Sequence, residues 1–184
     1  FAGIFFMKGY IPKNEDQNLL SSVEYEKNFR KYENIPQPDI TDVTTEIKLY
    51  PSENAYQIAG KYTLTNQTDQ PINKLLVNFN EDLKLKLAAL TSGPETIKID
   101  KNTTEIVLQQ AIQPGKIASL NFTLSYQWFA VNGHQSFNAI IENGSFMRIS
   151  RYYPTIGYQK DYEIVPYHKD EAANQAAIVA FMDK

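Results

Sequence analysis

From Ile40 to Tyr126 the chain alternates apolar and polar residues with a period of two, run after run, with turn-forming residues between the runs. That period belongs to a sheet with one buried face, because successive side chains of an extended backbone point to opposite sides. Val43, Thr45, Ile47 and Leu49 alternate with Thr44, Glu46, Lys48 and Tyr50, which predicts a first strand with one face in a core. Pro51-Ser52-Glu53-Asn54 supplies a turn, and the next run sets Tyr56, Ile58, Tyr62 and Leu64 on one side, with Gly60 between them. Asn66 to Pro71 reverses the chain. Leu75, Val77 and Phe79 resume the pattern, and Leu83, Leu85, Leu87 and Ala89 alternate with Lys84 and Lys86. After the break at Thr91-Ser92-Gly93-Pro94 come Ile97 and Ile99, then Ile106 and Leu108. Ala118, Leu120, Phe122, Leu124 and Tyr126 close the series beyond the Gln113-Pro114-Gly115 turn. Connections this short favour an antiparallel meander or sandwich over a parallel sheet, which needs helical crossovers.

The flanks read differently. Between Asn14 and Asn34, Leu19, Leu20, Val23, Lys27 and Arg30 fall at helical spacing, and Ile35-Pro36-Gln37-Pro38 ends that helix by removing backbone donors. Beyond Trp128, Asn132-Gly133 and Asn143-Gly144 mark turns beside short strands at Ala139 to Ile141 and Phe146 to Ile149. Glu171 to Met182 is Ala-rich, with Ala173, Ala177, Ile178 and Phe181 close to one face, and predicts a second helix. Phe1-Ala2-Gly3-Ile4-Phe5-Phe6-Met7 is apolar but too short to cross a bilayer by itself. It reads as the end of a transmembrane helix, as a signal-peptide core, or as a segment packed on the fold. The expected class is mainly β, an antiparallel β-sandwich or saddle with a helical segment at each end. Its parts are an apolar lead (1–13), a helix and Pro-rich linker (14–38), the β-domain (39–166) and a helical exit (167–184).

Composition removes whole classes of chemistry. With 42% hydrophobic and 12% aromatic residues, a chain of 184 residues has the apolar surface to fold. A net charge of −3 with interleaved signs leaves no basic field for phosphates, so nucleic acid is not an expected partner. Without cysteine there is neither disulfide nor thiolate. His134 and His168 stand apart, with no His-Glu-x-x-His helix, nucleophile elbow, phosphate loop or dinucleotide turn around either. Asp161 and Glu163 read as solvated carboxylates. Asn66-Gln67-Thr68, Asn102-Thr103-Thr104, Asn121-Phe122-Thr123 and Asn143-Gly144-Ser145 match the glycosylation tripeptide, a pattern that is common by chance in such a chain. Tyr126, Trp128, Phe129, Tyr152, Tyr153, Tyr158, Tyr162 and Tyr167 offer either a stacking platform for sugars or peptides, or ordinary core and interface packing. No catalytic, cofactor-binding or metal-binding residue is assigned. Arg151-Tyr152-Tyr153-Pro154-Thr155-Ile156-Gly157-Tyr158-Gln159 fixes backbone shape without a nucleophile. Tyr152, Tyr153, Pro154, Gly157 and Tyr158 are its candidate domain-interface residues.

Taken in order, Tyr32-Glu33-Asn34-Ile35-Pro36-Gln37-Pro38 with Ile40-Thr41-Asp42-Val43, the strand from Tyr56 to Asn66, and Asn143-Gly144-Ser145-Phe146 with Tyr153-Pro154-Thr155-Ile156-Gly157-Tyr158 resemble one family. It is the amino-terminal β-domain of aminopeptidase N-like zinc metallopeptidases, and more narrowly of bacterial membrane proteins in which an ABC-transporter permease-like region precedes a peptidase-like one. The resemblance implies an all-β saddle that packs on a zinc domain and walls one side of its cleft, with zinc expected only in that downstream domain. It also implies a membrane-attached parent, with Phe1 to Ile11 as a helix exit and Glu171 to Lys184 as the lead into the next domain. In the family the β-domain lends a Gln or Glu that helps hold the substrate's amine; counting back from Pro154 lands near Ser145, so no substrate-binding residue carries over. The rival reading is an independent adhesion or carbohydrate-binding module that stacks ligands near Trp128.

Overall fold

The structure, a computed structural model, describes residues 15–100, 104–128 and 138–163. The expectations placed on Phe1 to Met7, Asn102, Phe129, His134, Tyr167, His168 and the helix at Glu171 to Met182 lie outside them. Among the described residues one compact unit holds Pro36–Gly157 and a second holds 15–35 together with 158–163.

The first unit is mainly β and antiparallel throughout, as the period of two predicts. Strands β1 (Asp39–Tyr50), β2 (Ala55–Thr65), β3 (Ile72–Asn78), β4 (Lys84–Ser92), β5 (Glu95–Lys98), β6 (Glu105–Ile112) and β7 (Ile117–Gln127) are followed by the hairpin β8 (Asn138–Ile141) and β9 (Gly144–Met147), then by the short β10 (Thr155–Ile156). Five strands form one sheet in the order β1-β2-β7-β4-β5, and three form another in the order β10-β3-β6. The two sheets share one hydrophobic core, a sandwich-like arrangement. Tyr56, Ile58, Tyr62 and Leu64 of β2 and Leu120, Phe122, Leu124 and Tyr126 of β7 meet Leu75 and Val77 of β3 and Ile106 and Leu108 of β6. The Phe122 ring occupies the space over Gly60: a Cβ added there would stand 2.2 Å from the ring's Cζ, so only glycine lets the two strands hold that ring between them.

Three departures from simple alternation have physical causes. In β4 the register slips between Leu85 and Leu87, a β-bulge that inserts Lys86. The slip moves Ala88 and Leu90 onto the core face and turns Leu87 outward, where it is 56% exposed; the expected face of Leu83, Leu85, Leu87 and Ala89 therefore holds only through Leu85. In β3, Leu76 and Asn78 are buried as well as Leu75 and Val77. The edge of the same strand is bonded from far along the sequence. The Gln37 side chain takes the Leu76 N–H at 2.9 Å and donates to the Lys74 carbonyl at 3.0 Å, the two bonds a neighbouring strand would make. Gln37 thus bonds within the β-unit, which begins at Pro36. The third departure, at β1, shapes the candidate site.

In the second unit, helix α1 (Glu15–Phe29) runs into a short 3-10 turn, Arg30–Tyr32. Tyr25 organises this unit. Its ring stacks on Tyr158 at 5.4 Å, meets Tyr162 edge-on at 5.2 Å and lies 5.2 Å from Phe29, while its hydroxyl accepts the Gln159 N–H. Burial, helped by the Glu163 carboxylate, pushes the Tyr158 phenol well above its ordinary value.

Candidate interaction surface

The closing segment, expected to present an interface, is largely consumed by the fold. Tyr152 is buried in the core, and the Pro154 carbonyl accepts the buried Tyr62 hydroxyl at 3.1 Å. Gly157 sits at a φ of +79°, donates its N–H to the Leu76 carbonyl at 2.8 Å and accepts from Asn78 Nδ2 at 2.8 Å. That left-handed backbone turns β10 off the edge of β3 at little cost for glycine. Tyr153 is half-buried, 6.3 Å from the Phe122 ring, and its hydroxyl donates to Thr45 Oγ1 at 3.1 Å. Tyr158 belongs to the second unit. Tyr152, Tyr153, Pro154 and Gly157 are therefore held within the first unit as an internal clasp.

Strand β1 carries an outward apolar strip. Its register with β2 sets Ile40 opposite Leu64, Val43 opposite Tyr62, Thr45 opposite Gly60, Ile47 opposite Ile58 and Leu49 opposite Tyr56. Directly opposed residues share a face, so Ile40, Val43, Ile47 and Leu49 point to the same side as the core residues of β2. A bulge between Ile40 and Asp42 absorbs one residue and keeps the odd spacing from moving Ile40 to the other face. Yet these four side chains are 39% to 48% exposed, and no residue of β1 enters the core cluster. The expectation that this strand buries one face is corrected here. Alternation fixes the side a residue points to, whereas cover depends on the facing layer, and the β10-β3-β6 sheet stops short of β1. Tyr153 of the closing segment touches the strip at Thr45, with Val43 to one side and Ile47 and Leu49 to the other.

The tripeptide at Asn66 is a structural device. Asn66 is fully buried, and its Nδ2 donates to the Gln70 carbonyl at 2.8 Å and the Ile112 carbonyl at 2.7 Å. Its Oδ1 accepts from the Thr68 N–H and hydroxyl, while its backbone pairs with Gly115 and Lys116. One carboxamide thereby joins the end of β2, the loop after it and the turn between β6 and β7, which the Asn-x-Thr pattern does not disclose. Asn121 lies half-buried on the outer face of β7, and Asn143 is exposed in the β8–β9 turn. Trp128 packs against the core.

Among the described residues, no three of His, Asp and Glu are grouped to hold a metal ion, and no helix is long and apolar enough to cross a membrane. Burial holds the Tyr62 phenol neutral far above the ordinary tyrosine range, with neighbouring Tyr153 adding to the shift. No protein-family model matches the sequence, and no curated protein matches it.

Proposed function

We propose that the chain is a non-catalytic β-domain of a membrane-attached, aminopeptidase-like protein fused to an ABC-transporter permease-like region. In this reading it packs against a zinc-peptidase-like domain downstream in the same chain and shapes one wall of that neighbour's cleft. Zinc and acid–base groups belong to the neighbour, and no substrate contact is assigned to the β-unit. The observation that carries the proposal is the uncovered run of Ile40, Val43, Ile47 and Leu49, which continues the core face of the large sheet beyond the reach of the small one. Covering such half-exposed side chains contributes about 1 kcal/mol each. The docking surface is thus assigned to the face of β1 and not to the Tyr152–Tyr158 segment, whose deletion would remove the Tyr62 partner and unfold the unit.

Hydroxyl-radical footprinting tests this. In the intact parent protein, Val43, Ile47 and Leu49 are expected to be labelled several-fold less than in the 184-residue chain. Equal labelling in the two would remove the proposal. The adhesion or carbohydrate-module reading draws on Trp128 as a stacking platform, and the packing of that ring against the core gives it no separate support.

A further inference from the structure

Beyond its side-chain face, β1 has a backbone edge, and we propose that this edge pairs antiparallel with β1 of a second copy of the chain, about a two-fold axis through Ile47. Among the described strands β1 is terminal in the five-stranded sheet, so one row of its N–H and C=O groups has no ladder partner there. A two-fold antiparallel pairing keeps the apolar faces of both copies on one side, so residues i and j oppose each other only when i + j is even. Charge chooses among those registers. Centring on Glu46 or Lys48 opposes like charges. Centring on Ile47 places Glu46 opposite the second copy's Lys48 and Lys48 opposite its Glu46, satisfying both at once. These two side chains already share a face, with Lys48 Nζ 3.4 Å from Glu46 Oε1.

The same register fits the shape of the strand. It pairs Thr44 with Tyr50, Thr45 with Leu49 and Ile47 with Ile47. It ends where Pro51 opens a 3-10 turn, and it stays clear of the bulge at Ile40 to Asp42. Centring on Thr45 would also oppose Asp42 to Lys48, but it runs the ladder into that bulge and leaves Glu46 facing Thr44. Pairing at the edge leaves the docking face open, so the two roles are physically separate.

The natural absence of cysteine makes the register readable. Opposed residues of an antiparallel pair have Cα atoms about 4.5–5.5 Å apart, within disulfide reach, whereas residues two positions off the axis are roughly 14 Å from their own copies. In the full 184-residue chain, Ile47→Cys is expected to form a disulfide-linked dimer under mild oxidation, and Thr45→Cys and Leu49→Cys at least tenfold less. Glu46→Lys and Lys48→Glu should each weaken self-association roughly tenfold, while their equimolar mixture forms the mixed dimer. Light scattering that finds only monomer at high concentration, a cross-link maximum at any other position, or a charge-reversed mixture that stays monomeric would overturn the pairing.

Discussion

Strands β1 and β2 are hydrogen-bonded neighbours with the same alternation of apolar and polar residues, and they meet opposite fates. Tyr56, Ile58, Tyr62 and Leu64 of β2 are almost wholly buried, while Ile40, Val43, Ile47 and Leu49 on the same face of β1 stay near half-exposed. The difference is not in the strands. It lies in what stands opposite, since β3 and β6 cover β2 and β7 but leave the first strand bare. An apolar face can thus be specified by sequence and still be left for another surface to fill.

That contrast can be broken most forcefully at its centre. Phe122→Ala, which empties the space over Gly60, should cost about 3–5 kcal/mol in chemical denaturation. A cost under about 1 kcal/mol would mean that the core does not sit where the packing places it. Asn66→Ala strands the Ile112 and Gln70 carbonyls without their donor, and a loss of about 2 kcal/mol is expected. Glycosylation at that position in the folded protein is not expected, which mass spectrometry would check.

A pH series sharpens the comparison further. Tyr62 has its phenol raised by burial, so the unfolded chain ionises first, above the ordinary value of 10.0. Stability should be fully kept below about pH 10 and should fall as the pH rises beyond it. Tyr62→Phe removes the bond to Pro154, costing about 1 kcal/mol at neutral pH, and should flatten that alkaline decline. At the small end, Val43→Ala and Leu49→Lys should each shift the stability of the chain alone by no more than about 0.5 kcal/mol. A large loss would place these side chains in the core after all.

Much of the β-fold was legible because one face of each central strand is simply apolar. The Tyr56 to Leu64 and Ala118 to Tyr126 faces follow directly from alternation. The phase change at Lys86 was hidden because a bulge costs one residue and leaves no compositional trace. The partners at Leu76 and Asn78 were hidden for another reason: the Leu76 N–H bonds Gln37 and the Asn78 side chain bonds Gly157, 39 and 79 residues away. At the site, the aromatic closing segment carries the same residue types whether it faces a partner or its own core. The burial of Tyr152 and the bonds of Tyr153, Pro154 and Gly157 distinguish the two.

The paired bonds of Gln37 bear on where the protein can be cut. A truncation beginning at Asp39, the first residue in a strand, would look like a clean domain by secondary structure. It would nevertheless strip the amide that shields β3 and leave the Leu76 N–H and Lys74 carbonyl facing solvent as a ready template for another chain. Two residues of apparent tether therefore decide whether the excised piece stays in solution or sticks to its neighbours.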